Sequence, residues 1–290
     1  PKVNEFEKMF SNYTGSEYGI AVNSGTSALE ICLKAIGVSK GDEVIVPVQT
    51  FVSTGSSVVN NGGTPIFCGI DENHLIDIND LKNKITPATK AVIIVHFCGL
   101  IHPQIIELKS FLEKKNIILI EDAAHAHGAK IGNISAGNIG DFGCFSFYST
   151  KIMTTAGEGG FITTNDLNYY NLCSSISAIG IDKESKEEIY HLSGSNYRMT
   201  EVQAIAGLTQ LNRLDSFVKH GNNIATIYRN KLDVLVDSKI ISFQDDPKEI
   251  LHPYWRFIVK IEDENFKRDI IRTKMHSNGI AVDWPYSPLM

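Results

Sequence analysis

The sequence predicts an α/β fold built on a mostly parallel, doubly wound sheet, and three observations carry that expectation. Strand-like runs alternate with helix-like runs from Gly19 to Asp122, an order that produces parallel strands joined by right-handed crossovers. Ala91–Phe97 (AVIIVHF) is apolar almost without interruption, as in a strand covered on both faces. Ile117–Ile120 ends in Glu121-Asp122. Ligands of open α/β sheets bind beyond the carboxyl ends of the strands, so Asp122 stands where function is expected.

In chain order, residues 4–12 read as an amphipathic helix and Gly19–Val22 as a short strand. That strand stops at Asn23-Ser24-Gly25-Thr26-Ser27, after which ALEICLKAIG has helical apolar spacing, with Ser27 and Glu30 read as a capping box. A strand, a Ser/Gly turn and a capped helix form a phosphate cup, because free N–H groups and the positive helix end face an anion. Any strand-to-helix turn needs a cap, so the same residues also fit a purely structural role. Glu43–Pro47 is a strand, Phe51–Asn61 a helix closed by Gly62-Gly63, Pro65–Ile70 a strand and Ile105–Lys115 a helix. Asn168–Ala178 is helical and Gly180–Tyr190 a polar surface loop. Thr200 and Gln203 make a second capping box for a helix with Val202, Ile205, Ala206, Leu208, Leu211 and Leu214 on one face. Gly221 reads as an interruption of the helical pattern that divides a large domain, 1–220, from a smaller C-terminal α/β domain, 221–290. The smaller one holds a helix to about Leu235, strands near Lys239–Phe243 and Tyr254–Ile261, and a helix from Asn265 to Ser277; it reads as incomplete, and both chain ends read as cut short.

Composition narrows the function. Of 290 residues, 43% are hydrophobic and 21% charged, and the net charge is -6, which with no basic stripe argues against nucleic-acid binding. No apolar run reaches the ~20 residues of a membrane helix. Five scattered cysteines without a C-x-x-C pair look like core thiols of a reducing compartment, which points to the cytoplasm. Small-molecule chemistry is the expectation.

The stretch Phe145–Asn165, FSFYSTKIMTTAGEGGFITTN, sets one lysine among small and hydroxyl residues, with Phe145, Phe147, Ile152 and Met153 expected to be buried. An amine in partly apolar surroundings deprotonates more easily and can attack a carbonyl. Lys151 is therefore a candidate Schiff-base lysine. Asp122, at its strand end, could ligate a metal, clamp a ribose or pair with a protonated ring nitrogen. The pair His125-x-His127 invites a metal reading, but no third ligand accompanies it; no metal is expected, and His127 reads as a packed or capping histidine.

SGTSAL, EDAAHAHGA, GDFGCFSFYSTK, GEGG and NYRMTEVQA, in this order, resemble the DegT/DnrJ/EryC1/StrS family of sugar aminotransferases over almost the whole chain. The resemblance implies the aspartate-aminotransferase fold (fold type I of pyridoxal-phosphate enzymes), pyridoxal 5'-phosphate as cofactor, and catalytic roles for Lys151 and Asp122. Lys151 matches the lysine that binds the cofactor covalently and moves the proton; Asp122 matches the carboxylate that keeps the pyridine nitrogen protonated. Thr26, Ser27 and Ser146 match residues that hold the phosphate, Phe51 an aromatic that stacks on the ring, and His125 a residue near the phenolic oxygen. Phe51 also fits as a core residue at a helix start. Asn196 matches an asparagine that reaches the phosphate of the neighbouring subunit, which implies a homodimer with shared active sites. Glutamate and a nucleotide-linked keto-sugar are the implied substrates, with ping-pong kinetics. SAIGIDKES carries neither the Arg nor the His that the family often has before its flexible loop. A non-catalytic cofactor-binding sensor and a lyase or dehydratase of the same fold are the alternatives; dehydratase members replace the lysine with histidine, and Lys151 argues against that branch.

Overall fold

A computed structural model describes residues 1–182, 189–245, 247–283 and 286. Helix α1 (Lys2–Thr14) leads into strand β1 (Tyr18–Val22), helix α2 (Gly25–Ala35) and strand β2 (Glu43–Pro47). Then come α3 (Val52–Asn60), β3 (Thr64–Cys68), α4 (Ile78–Lys84), β4 (Thr89–Val95), α5 (Ile105–Glu113) and β5 (Ile118–Asp122). The two-residue strands β6 (Lys130–Ile131) and β7 (Ile134–Ser135) precede β8 (Phe142–Ser146), β9 (Gly160–Thr164) and α6 (Leu167–Ser177). Helices α7 (Glu201–Leu211) and α8 (Leu214–Asp237) follow, then β10 (Ile241–Phe243), β11 (Ile250–Leu251), β12 (Val259–Ile261) and α9 (Arg268–Ser277).

Seven strands form the central sheet in the order β1-β9-β8-β5-β4-β2-β3. Strands β3, β2, β4, β5 and β8 pair in parallel, and β9 runs antiparallel to both β8 and β1. The expected mostly parallel α/β sheet is therefore the one observed.

Side chains alternate across a strand with period two, and here both sets are apolar. Ile45, Val92, Ile94, Leu119, Phe145 and Phe161 face one core with Phe6 and Phe10 of α1, Leu108 and Leu112 of α5, and Leu214 and Val218 of α8. Val44, Val46, Ala91, Ile93, Ile120, Cys144 and Ile162 face the other, against Leu29, Ile31 and Leu33 of α2 and Cys173 and Ile176 of α6. Phe10 meets Phe145 edge-on at 5.0 Å and Phe161 at 4.7 Å, which ties α1 to the strands flanking the lysine loop.

Of the strand read near Tyr254–Ile261 only Val259–Ile261 is one, and two other local readings change. Helix α2 begins at Gly25, and its cap is Ser24, whose side chain accepts the Ser27 amide, not Ser27 with Glu30. Glu30 instead accepts from Asn60. Ser24, Thr26 and Ser27 can all cap a helix; Ser24 is the one with extended backbone, φ -163°. Second, α8 runs unbroken through Gly221. A β-carbon there would lie 2.6 Å from the Pro253 carbonyl oxygen, so this glycine admits a neighbouring backbone and does not interrupt the helix. The Gly180–Tyr190 loop falls largely on residues outside the described ones; Ile181 and Tyr190 at its base form an isolated bridge. The capping box of α7, Thr200 with Gln203, is present as read.

Among the described residues no helix is long and apolar enough to cross a membrane. The five cysteines are unpaired and buried.

Candidate active site

The carboxyl ends of β5 and β8, the start of α2 and the lysine loop surround a cavity of about 460 Å³. Asp122, Lys151, Ser146, Thr26, Phe51 and His125 all line it. Six residues from four separate stretches of sequence thus converge, because parallel strands deliver their ends to one edge of the sheet.

Asp122 lies at the bottom, 7% exposed. Its Oδ2 accepts from the Thr54 hydroxyl at 2.8 Å and its Oδ1 from the Ala124 amide at 3.2 Å. Burial raises its pKa, and the Thr54 bond is the strongest influence holding it down. Thr50 in turn lies 2.8 Å from the Thr54 oxygen; with the Thr54 proton directed at Asp122, Thr50 is the donor. The neighbouring Glu121 points the other way and is wholly buried. It meets His96 Nε2 at 2.7 Å and accepts the amides of Gly137, Ile139 and Gly140 at 2.8, 2.7 and 2.6 Å. That clamp fixes the end of β5 from behind, and so fixes Asp122.

Lys151 follows a turn closed by its own amide on the Tyr148 carbonyl. Desolvation lowers its pKa to about 8, against the opposing attraction of Asp122. A substantial share of the amine is therefore neutral near pH 8, as a nucleophile requires. Its Nζ lies 4.4 Å from the centre of the Trp255 ring.

His125 stacks on Trp255 with ring centres 3.8 Å apart and 13° between planes. Its Nδ1 faces the Cys98 amide at 3.4 Å, so the ring proton resides on Nε2, 3.2 Å from the Tyr286 hydroxyl. Burial pushes its pKa well down, and the ring is a neutral donor. His127 is packed, as read: it is fully buried beside Phe145 and Phe147, with its pKa lowered by desolvation to about 3.

The start of α2 forms the cup. Ser27 and Ala28 donate their amides to Ser24, which leaves those of Gly25 and Thr26 at the open turn. A β-carbon on Gly25 would come 2.7 Å from that of Ser146, so the glycine lets the turn approach β8. The Thr26 hydroxyl lies 2.8 Å from that of Ser53.

Two expected residues are not brought to this cavity wall. Ser27 is 7% exposed and donates its hydroxyl to Asn23 Oδ1 at 2.6 Å. Asn196 is exposed, with its side-chain oxygen accepting from Arg198 at 3.0 Å. Thr54, Trp255, Arg256, Glu158, Tyr148 and Tyr286 were missed as site residues. Glu158 belongs to the GEGG motif and could have been found there; Thr54, one turn into the helix begun at Phe51, could have been found by helical spacing. Arg256, exposed at the mouth, stands over the Trp255 ring at 4.6 Å and offers a permanent positive charge.

These residues fit pyridoxal phosphate. The cavity has room for it, an open helix turn with free amides suits its phosphate, a buried carboxylate suits its ring nitrogen, and an amine of lowered pKa suits its carbonyl. Among the described residues no group of three or more His, Cys, Asp or Glu could hold a metal ion.

A model of the DegT/DnrJ/EryC1/StrS aminotransferase family matches residues 1–290. The chain is 36% identical over 258 residues to a GDP-perosamine synthase of Escherichia coli O157:H7, covering 87% of this chain and 68% of that protein. It is 35% identical to the spore coat polysaccharide biosynthesis protein SpsC of Bacillus subtilis, covering 95% and 72%. Among solved structures, an aminotransferase from Psychrobacter cryohalolentis superposes with a TM-score of 0.92 at 31% identity, covering 96% of this chain and 75% of that one. The PLP-form of a sugar aminotransferase from Streptococcus pneumoniae superposes with a TM-score of 0.90 at 27% identity, covering 100% and 78%.

Proposed function

The chain belongs to the DegT/DnrJ/EryC1/StrS aminotransferase family, and on that premise we propose that it moves an amino group from glutamate to a keto-deoxysugar carried on a nucleotide. Its cofactor is pyridoxal phosphate. The observation that carries the reading is the convergence of Lys151, Asp122 and the open turn of α2 on one cavity.

Bound there, the cofactor supplies an electron sink that stabilises the carbanion left when an α proton departs. The protein's own contributions follow from the geometry. Asp122, held by Thr54 and Ala124, would in its ionised form keep the ring nitrogen protonated. Lys151 would hold the cofactor through its ε-amine and, once released, take a proton from the donor's α carbon and return it. Thr26, Ser146 and the α2 amides would bind the phosphate, with Ser27 one turn behind. Phe51, half exposed at the rim, would cover the ring, and the Nε2–H of His125 would reach the phenolic oxygen. Both substrates would use one cavity in turn, which gives ping-pong kinetics.

A GDP-linked sugar is the first candidate acceptor, because the two relatives at 36% identity are both named GDP-perosamine synthase. Asn196, exposed and outside its own cavity, would serve the site of a second copy in a homodimer. Division into a cofactor domain, 1–220, and a smaller unit, 221–290, joined through α8, is part of the same reading. The unpaired thiols suit a reducing cytoplasm. Incubation with glutamate and GDP-, UDP- or dTDP-linked keto-deoxysugars, read by mass spectrometry, tests the proposal: an aminated nucleotide sugar is expected, and formation of none of them from any acceptor would overturn it.

A further inference from the structure

Trp255 is tied to the site at every edge. Its indole Nε1–H donates to the Thr150 carbonyl at 2.7 Å, the residue just before the lysine. Its backbone N–H donates to the Cys98 carbonyl at 3.1 Å, on the turn that follows β4. Its ring stacks on His125 at 3.8 Å, and the Lys151 ammonium lies 4.4 Å from its centre, within the range of a cation–π contact. Among the described residues no ion pair joins Lys151 to Asp122, although the carboxylate attracts the amine.

We propose that Trp255 is a positioning residue that docks the free ε-amine of Lys151 on its indole face whenever the lysine is not bound to cofactor. The inference rests on the aminotransferase reading, in which Lys151 must be released and recaptured in each half of the cycle. A released ammonium has two attractors, the Asp122 carboxylate and the indole face. Docking on Asp122 would neutralise the group needed by the ring nitrogen and draw the amine to the bottom of the cavity. Docking on Trp255 leaves Asp122 free and keeps the amine beside its own loop. The Thr150 bond makes ring and lysine loop move together, so the distance from face to amine is held by structure and not by chance.

The test must change the face without changing its shape. Trp284, the other tryptophan of the chain, is first replaced by Phe; Trp255 is then labelled with tryptophans carrying increasing numbers of ring fluorines, which weaken the π face. The readout is the pH midpoint for capture of pyridoxal phosphate by cofactor-free protein, followed by absorbance, with Lys151→Ala as blank. The groups facing the amine, Asp122, Cys98, His125, His127 and Arg256, stay in place across the series. A face that holds the ammonium favours its charged form, so the midpoint should fall with each fluorine, by about half a unit or more over the series.

Arg256 shares the ring, so the series is repeated with Arg256→Gln, where the fall should persist. Midpoints independent of fluorination in the Arg256→Gln background would overturn the inference and leave the cofactor assignment standing. Absence of capture by the unlabelled protein would instead overturn the aminotransferase reading.

Discussion

Replacing Thr54 with valine removes from the floor of the cavity the hydroxyl that donates to Asp122 and accepts from Thr50. Thr54 is wholly buried and Asp122 nearly so, and the hydroxyl-to-carboxylate distance is 2.8 Å. A hydrogen bond to a charged group is worth about 1.5–3 kcal/mol. The valine methyl has the shape of the hydroxyl, so the change leaves no cavity; the Thr50 hydroxyl loses its acceptor at every pH, and the part of the effect that varies with pH reports the bond to Asp122. Asp122 would retain only the 3.2 Å bond from Ala124, and its already raised pKa would rise further. A carboxylate whose folded pKa lies above its unfolded value favours the fold at low pH and weighs against it once ionised, so lost stability appears as pH rises through the folded value. Thr54→Val should widen that loss. Denaturant titration of cofactor-free protein should show about 1.5–3 kcal/mol less stability at pH 7, or roughly 3–6 °C in Tm for a chain of this size. The deficit should shrink as the pH is lowered through the titration of Asp122. An equal deficit at all pH values, or none, would refute the assignment of Thr54 as the donor that sustains the ionised carboxylate. With cofactor loaded, the same variant should lose turnover and retain cofactor less well.

Lys151, with its folded pKa lowered to about 8 from 10.5, is harder to protonate in the fold than in the unfolded chain; the fold loses stability as pH falls through about 8 and recovers it as pH rises past 10.5. Lys151→Met should therefore stabilise cofactor-free protein at pH 7, with the gap closing at high pH in denaturation curves, while abolishing turnover. Gly221→Ala, which by helix propensity alone would gain about 1 kcal/mol, should instead destabilise by about 1–3 kcal/mol, because the new methyl meets the Pro253 carbonyl at 2.6 Å; a raised Tm would contradict that packing. Asn196→Ala should weaken cofactor retention, and mixing it with a Lys151→Ala chain should restore part of the activity through hybrid dimers; no complementation would refute the shared site.

The parts of the fold that were legible in the sequence are those where period and composition agree. AVIIVHF could be read because a strand with both faces covered has no polar alternation to hide it, and Asp122 because it ends such a strand. Helix α4 was not read: INDLKNK is seven residues long, too short for a helical period to stand out, and it is started by Asp77 accepting two amides. The two-residue strands β6, β7 and β11 are defined by pairing between distant segments and have no local pattern. The same holds for the site. Lys151, Asp122 and the SGTS turn sit in dense motifs, whereas Trp255 and Arg256 come from an unremarkable run, HPYWRFIV, that reaches the cavity only because Trp255 bonds to Cys98 and Thr150. Gly221 misled for a related reason: a glycine in a helical pattern marks a break or a close approach, and only the position of Pro253 distinguishes them.

The central claim is that Lys151 and Asp122 hold pyridoxal phosphate for amino-group transfer, and an absorption spectrum of the purified protein before and after addition of glutamate tests it most directly. The account expects a visible band of covalently held cofactor, absent in Lys151→Ala, that fades on adding glutamate as the amino group is taken up. A protein that shows no such band even after addition of pyridoxal phosphate would contradict it.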